Sequence, residues 1–299
     1  MDEATMSFVT VAEAEEVQIH APIGGRISFF NSPYPAHGEL KAVDIYFPEN
    51  IAYSPVSGKI ACIRKIRPPK TAAFKASPVD YLVCIKVSED LLVRVLHVRP
   101  EVRVGEDVKV GERLGLPLRT GFFDFWTDPH AHVEVRKKGD YLRPLGALSL
   151  RPLIGRVEKG GAVLEGEVIS CRPEYCLVAL AGTGRVGALN GLAAASGGKA
   201  CILDGGFPHY GRGGVLADEI AGADVEVSRV KIGEITNKFG DAATVRFDPV
   251  RVTVNGIGLR GLSCYLGVGC KPLLKLVPKK PGELRLNGEV KIELERASL

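Results

Sequence analysis

His130 and His132 form a His-x-His pair inside TDPHAHVEVR, and five of the chain's six histidines fall within its first 132 residues. Together with His37, Asp44 and His97 they supply the ligand types of a catalytic zinc, which takes three protein ligands from His and Asp/Glu and keeps a fourth position for water. On a β-strand residues i and i+2 share a face, so His130 and His132 project together while Val133 and Val135 turn to the opposite, core-facing side. One ring can then meet a metal while the other stays available for proton transfer. His37 and Asp44 lie in PAHGELKAVDIYFP with six residues between them, a separation compatible with a loop carrying His37 and a strand carrying Asp44. Asp44 sits between Val43 and Ile45, and an acid in so apolar a strand needs a partner. His97 closes LLVRVLH, and an imidazole there suits proton handling because it titrates near neutrality. A core histidine bonded to a backbone carbonyl is the commoner case, and His20 reads that way; His37, Asp44, His97, His130 and His132 gain their weight in combination.

Those residues must be positioned by short strands. From Val17 to about Leu148 alternating apolar runs are broken by Gly, Pro, Asn and Asp at intervals of about 8 to 12 residues, the spacing of an all-β domain. The strand candidates are VQIHAP, GRISFF, AVDIYF, GKIACIRKI, DYLVCIKV, LLVRVLHV, DVKV and AHVEVR, with PPKTAAFKASP as an exposed loop. The expected organisation is a polar leader over residues 1–16, a first β domain over 17–150 and a second, mainly β domain over 151–299. The second contains AVLEGEVISC, YCLVALA, KACILD, DVEVSRVKIGEI, ATVRFDPVRVTV, LLKLVP and GEVKIELE as strands. Only GALNGLAAASGG reads as a short helix, against the cost of its glycines.

With 299 residues, 45% hydrophobic and 25% charged, the composition is that of a soluble globular chain of about two domains. A net charge of +4 lacks the concentrated basic face of nucleic-acid binders, and Arg136-Lys137-Lys138 reads as solvated surface. The acidic N-terminus lacks the basic start and apolar core of a signal peptide, and no run is long enough for a membrane helix, so a cytoplasmic location is expected. Seven cysteines include no C-x-x-C pair, and most lie in strand-like runs as expected buried free thiols. One glutamine and two methionines lean toward a heat-adapted source.

From about His37 to Pro144 the chain resembles the lysostaphin-type and β-lytic zinc metallopeptidases, a family of peptidoglycan endopeptidases. The matching pieces are HGELKAVDIYFP, SPVSGKI, LHV, VRVGEDVKVGERLG, and PHAHVEVR followed by GDYLRPL. The resemblance implies an all-β, duplicated-hybrid-motif domain with His37, Asp44 and His132 as ligands of Zn2+. It makes His97 and His130 the catalytic histidines beside the attacking water, and a peptide amide the substrate. It departs from the family in a longer His-to-Asp spacing and in Val95, where a Tyr often stands two residues before the His97 position. Tyr34 is a candidate hydroxyl for the developing oxyanion, or a turn residue.

SPVSGKI and VRVGEDVKVGERLG also resemble biotinyl and lipoyl carriers and phosphotransferase IIA domains, but the carriers' Met-Lys and Asp-Lys-Ala hairpins are missing. A silent member of the same fold, acting as a binding or scaffold module, is the stronger alternative, because an unexported wall hydrolase has no obvious target. In the second domain Gly182-Thr-Gly184-Arg-Val-Gly187 with Asp204 imitates a dinucleotide fingerprint amid strands, where turn glycines explain it better. LDGGFPHYGRGG gathers Asp204, His209, Tyr210 and Arg212 in a loop that reads equally as an accessory contact and as a surface turn.

Overall fold

The computed structural model describes residues 6–140, 146–155, 157–158 and 163–296. The chain is all-β in two compact units, with a single four-residue helix among the described residues. Unit 1 comprises Met1–Ile27 and Lys41–Arg151; unit 2 comprises Ser28–Leu40 and Pro152–Leu299. No helix is long and apolar enough to cross a membrane.

Unit 1 opens with β1 (Phe8–Ala14) paired to β2 (Val17–Pro22). Part of the stretch read as a polar leader is therefore a strand that buries Val11, Ala12 and Ala14. After β3 (Arg26–Ser28) come β4 (Val43–Tyr46), β5 (Ala52–Tyr53), β6 (Gly58–Ile66), β7 (Asp80–Lys86) and β8 (Leu91–Leu96). They are followed by β9 (Val98–Pro100), β10 (Asp107–Val108), β11 (Arg113–Pro117) and β12 (Ala131–Lys137). Antiparallel pairings run β10–β6–β7–β8–β12–β4, so β12 lies between β8 and β4. Strand β11 forms a second small sheet with β5 and β9.

Alternation builds one apolar face from Val83, Ile85, Val93, Val95, Val133 and Val135, all without solvent exposure. Each such aliphatic side chain contributes about 1.5–3 kcal/mol by leaving water. The opposite face holds Arg94, His132, Glu134 and Arg136 and is also buried, beside a small cluster of Leu82, Cys84 and Leu92. Arg136 is thus a fully buried side chain, contrary to the expectation of a solvated basic run. It is drawn inward because Glu134, two residues earlier on the same face, offers a carboxylate at 2.7 Å.

In unit 2 the strand Lys199–Phe207 pairs with Leu189–Ser196, Arg212–Leu216 and Gly261–Cys264, around a large aliphatic core that includes Leu203, Val215, Val245, Leu262 and Leu276. The expected helix in GALNGLAAASGG is instead the strand Leu189–Ser196. Its ladder partners outrank the helix preference of alanine, and Gly197 and Gly198, at φ 56° and 77°, turn the chain into the next strand. Gly184, in the stretch that imitates a dinucleotide fingerprint, opens the strand Gly184–Val186 and no helix follows. Cys171 and Cys176, partners across a hairpin, are joined as a disulfide where free thiols were expected. Cys62, Cys84, Cys201 and Cys264 are reduced.

Unit 2 also contains the segment Ser28–Leu40, with a helical turn α1 (Pro35–Gly38) that starts on a proline. Buried Asp204 anchors this segment: it accepts hydrogen bonds from Ser28 Oγ at 2.5 Å, Phe29 N at 2.6 Å and Phe30 N at 3.2 Å. Arg212 donates to the Pro33 carbonyl. A Cβ at Gly214 would lie 2.3 Å from the Phe30 ring, so a glycine is needed where Phe30 seats.

Candidate metal centre and its histidines

Strand register does most of the assembly. His132 stands directly opposite Asp44 on β4 and opposite Leu96 on β8, and Leu96 is followed by His97. His130 lies just before β12, two residues from His132 on the same face. The ligand-type atoms of His37, Asp44 and His132, all three buried, lie within 4.8 Å of one another.

His132 Nδ1 is 2.9 Å from Asp44 Oδ1, and its Nε2 donates to Glu134 Oε1 at 2.9 Å. Glu134 in turn accepts from Arg94 at 2.6 Å and Arg136 at 2.7 Å. Burial works against ionisation of Glu134, but the bond from His132 and the two guanidinium groups hold its carboxyl well below the usual range. Burial likewise opposes a charged His132, yet its bonds to Asp44 and Glu134 lift it to about 9.

His130 behaves in the opposite way. Burial dominates and lowers it to about 4, against the nearby Asp44 charge. Its Nδ1 donates to the Asp128 carbonyl at 2.9 Å, and its Nε2 is 3.5 Å from Asp44 Oδ2. The ring stacks on Phe123 at 4.7 Å and lies 4.8 Å from Tyr46. His97 Nδ1 bonds Asp80 Oδ2 at 2.6 Å, and its ring centre is 5.5 Å from that of His130 and 6.1 Å from that of His132. His37 Nδ1 donates to the Phe29 carbonyl at 2.8 Å.

A common pattern emerges from these contacts. In His37, His97 and His130 the Nδ1 is tied to a protein oxygen, from Phe29, Asp80 or Asp128, and in His132 both nitrogens bond carboxylates, of Asp44 and Glu134. Such ties fix ring orientation. Two histidines two residues apart are also pushed in opposite directions, to about 4 and about 9.

Sequence reasoning named the five central residues but missed their supports. Glu134 shares the face of His132 by simple alternation, so that signal was present. Arg136 continues the same alternation, whereas Asp80 and Arg94 carried no such signal. Asp204 was singled out for other reasons, and its observed contacts brace the segment that bears His37. Tyr34 is 47 % exposed at the start of α1. His20 bonds Thr10 and the Pro55 carbonyl, as a structural histidine does. His209 is half-buried beside Tyr210. Of the GDYLRPL piece, residues 141–145 lie outside the described residues.

Fold and site together define an all-β chain of two domains with a buried histidine and carboxylate cluster in the first half of its sequence. Residues 18–152 match the N-terminal domain, and residues 163–295 the C-terminal domain, of a family described as a domain of unknown function, DUF8155. The two matches follow one another over most of the chain, which belongs to this family. All five candidate residues fall within the N-terminal match. No curated protein matches the chain.

Proposed function

We propose that the chain is a zinc-dependent metalloendopeptidase of the lysostaphin type that hydrolyses an amide bond in a peptidoglycan-type or related peptide. The observation that carries this reading is the convergence of His37, Asp44 and His132 within 4.8 Å. Two imidazoles and one carboxylate match the donor set of a hydrolytic zinc with an open position. The fit extends to the support of the ligands: His132 Nε2 is held by Glu134 at 2.9 Å and His37 Nδ1 by a carbonyl at 2.8 Å. A carboxylate or carbonyl behind each ligating imidazole is the usual second layer of a zinc site.

Zinc, when bound, would supply Lewis-acid polarisation and a water of lowered pKa. The chain's own residues supply the rest. His130 has its Nδ1 held by the Asp128 carbonyl at 2.9 Å, which orients its Nε2, 3.5 Å from Asp44 Oδ2, as the proton acceptor of this reading. His97, its Nδ1 held by Asp80, offers a second imidazole 5.5 Å from His130 whose Nε2 can take up a proton and return it to the leaving amine. Phe122 and Phe123 lie beside these rings, at 6.0 Å and 4.7 Å from His97. His132 holds its proton below about 9 without a metal, so uptake of a divalent cation releases that proton.

The test combines metal analysis of the purified full chain with a panel of glycine-rich and D-amino-acid peptides. One zinc per chain with cleavage is expected, and His97→Ala or His130→Ala should keep the metal and lose turnover. Full activity in His130→Ala contradicts its role. Stoichiometric zinc with no cleavage of any peptide sinks the peptidase reading and favours a binding or scaffold module of the same fold.

A further inference from the structure

We propose that Asp80 is a positioning residue that fixes the tautomer and orientation of His97. Its consequence for turnover rests on the hydrolytic reading above; its structural content does not.

Asp80 begins β7, opposite Ile66 of β6, and has no solvent exposure. Its Oδ1 accepts from the Tyr81 backbone at 2.7 Å, and its Oδ2 accepts from Thr120 Oγ1 at 3.1 Å and from His97 Nδ1 at 2.6 Å. A carboxylate so placed can only accept, which puts the imidazole proton on Nδ1 and the lone pair on Nε2. Burial favours the protonated acid, yet the bonds from His97, Tyr81 and Thr120 hold Asp80 below its usual range.

The backbone of His97 is equally constrained. It adopts φ 66°, the left-handed region that an ordinary side chain rarely occupies, between β8 and β9. Two hydrogen bonds hold it there, from His97 N to Tyr81 O at 3.2 Å and from Leu118 N to His97 O at 2.7 Å. Tyr81 therefore clamps the His97 backbone through its carbonyl and the Asp80 carboxylate through its amide. A strained, over-determined histidine with a buried carboxylate behind it is built to present one nitrogen. The arrangement parallels the orienting carboxylate of hydrolases that rely on a histidine, where replacement by the amide gives the wrong tautomer.

The experiment is nitrogen NMR of histidine-labelled full chain, metal-free and zinc-loaded, for the native protein, Asp80→Asn and Thr120→Val, alongside zinc stoichiometry and steady-state kinetics. In the native protein His97 carries its proton on Nδ1. In Asp80→Asn the amide donates to Nδ1 and the proton moves to Nε2, zinc content stays unchanged, and kcat falls on the order of 10⁴-fold with little change in KM. A His97 that keeps its Nδ1 proton in Asp80→Asn overturns the inference, as does an unchanged kcat in a variant of an active native enzyme. If the native chain cleaves no peptide, the hydrolytic reading fails while the tautomer result still decides the role of Asp80. If Asp80→Asn does not fold, Thr120→Val serves: the His97 Nδ1 proton resonance should shift and, in an active enzyme, turnover should fall about tenfold, the scale of one hydrogen bond. An unchanged resonance overturns the inference.

Discussion

In unit 1, buried charges neutralise one another along a chain of contacts: Arg94 and Arg136 on Glu134, Glu134 on His132, and His132 on Asp44. In unit 2, buried charge is met by neutral groups. Asp204 accepts from one hydroxyl and two backbone amides, and Lys275 lies over the rings of Tyr175 at 4.2 Å and Tyr265 at 5.3 Å. The first arrangement keeps ions charged and fixes the orientation of an imidazole. The second anchors backbone, and it leaves the carboxyl free to change its charge: burial pushes Asp204 up to about 7 despite its three donors. Buried charge in one region thus orients and charges an imidazole, while in the other it holds a segment in place.

The largest effect should come from removing a ligand. His37→Ala or His132→Ala should abolish zinc retention, read by metal analysis after dialysis; a variant that keeps stoichiometric zinc would remove that residue from the ligand set. Glu134→Ala leaves Arg94 and Arg136 buried without their shared carboxylate, a loss expected to cost about 3–5 kcal/mol in chemical denaturation. The gentler Glu134→Gln should weaken zinc binding by about 10- to 100-fold, the usual weight of a second-layer partner. A Glu134→Ala protein as stable as the native one would show that the ion chain is not the organising element.

Asp204→Ala probes the other region. It leaves the Phe29 and Phe30 amides without their acceptor, which should cost about 1–3 kcal/mol by denaturant melt. Zinc affinity should drop with it, since the segment they anchor carries His37. Unaltered zinc binding in that variant would separate the anchor from the site.

The smallest effect separates the two regions by pH. Asp204 rises from 3.8 to about 7 in the fold, so the native state holds a proton that the unfolded chain has lost. Its contribution to stability is greatest below about 4 and declines as pH rises to about 7, by at most about 1.4 kcal/mol per pH unit. Metal-free His132 rises from 6.5 to about 9, and its contribution is complete below 6.5 and lost as pH climbs through about 9. Because the lowered His130 acts in the opposite sense over the acidic range, the Asp204 slope is read as the difference between thermal melts of the metal-free native protein and Asp204→Asn. Zinc should flatten the alkaline slope.

Much of the scaffold could be read directly from alternation. GKIACIRKI is β6 from end to end, and LLVRVL is β8, because period-two patterns with turn residues at each end have few other solutions. The misread segment, LNGLAAAS, is rich in alanine and has no strong period, so its neighbours in the sheet decided its state. The supports of the site were harder to see. Asp80 stands 17 residues before His97, Asp44 stands 88 before His132, and Asp204 stands 175 after Phe29. Only the tertiary fold brings such pairs together.

What the sequence determined by itself was two β domains and a set of residue types from which a metal site can be built. Strand periodicity is local, and ligand chemistry belongs to the side chain, so both can be read along the chain. What only the tertiary structure decided was the charge state and orientation of those side chains. One histidine is held at about 4 and its neighbour at about 9 because burial acts on both, while the carboxylates of Asp44 on β4 and Glu134 on β12 reach the second far more strongly. Electrostatics depends on distance in space, which the order of residues does not carry.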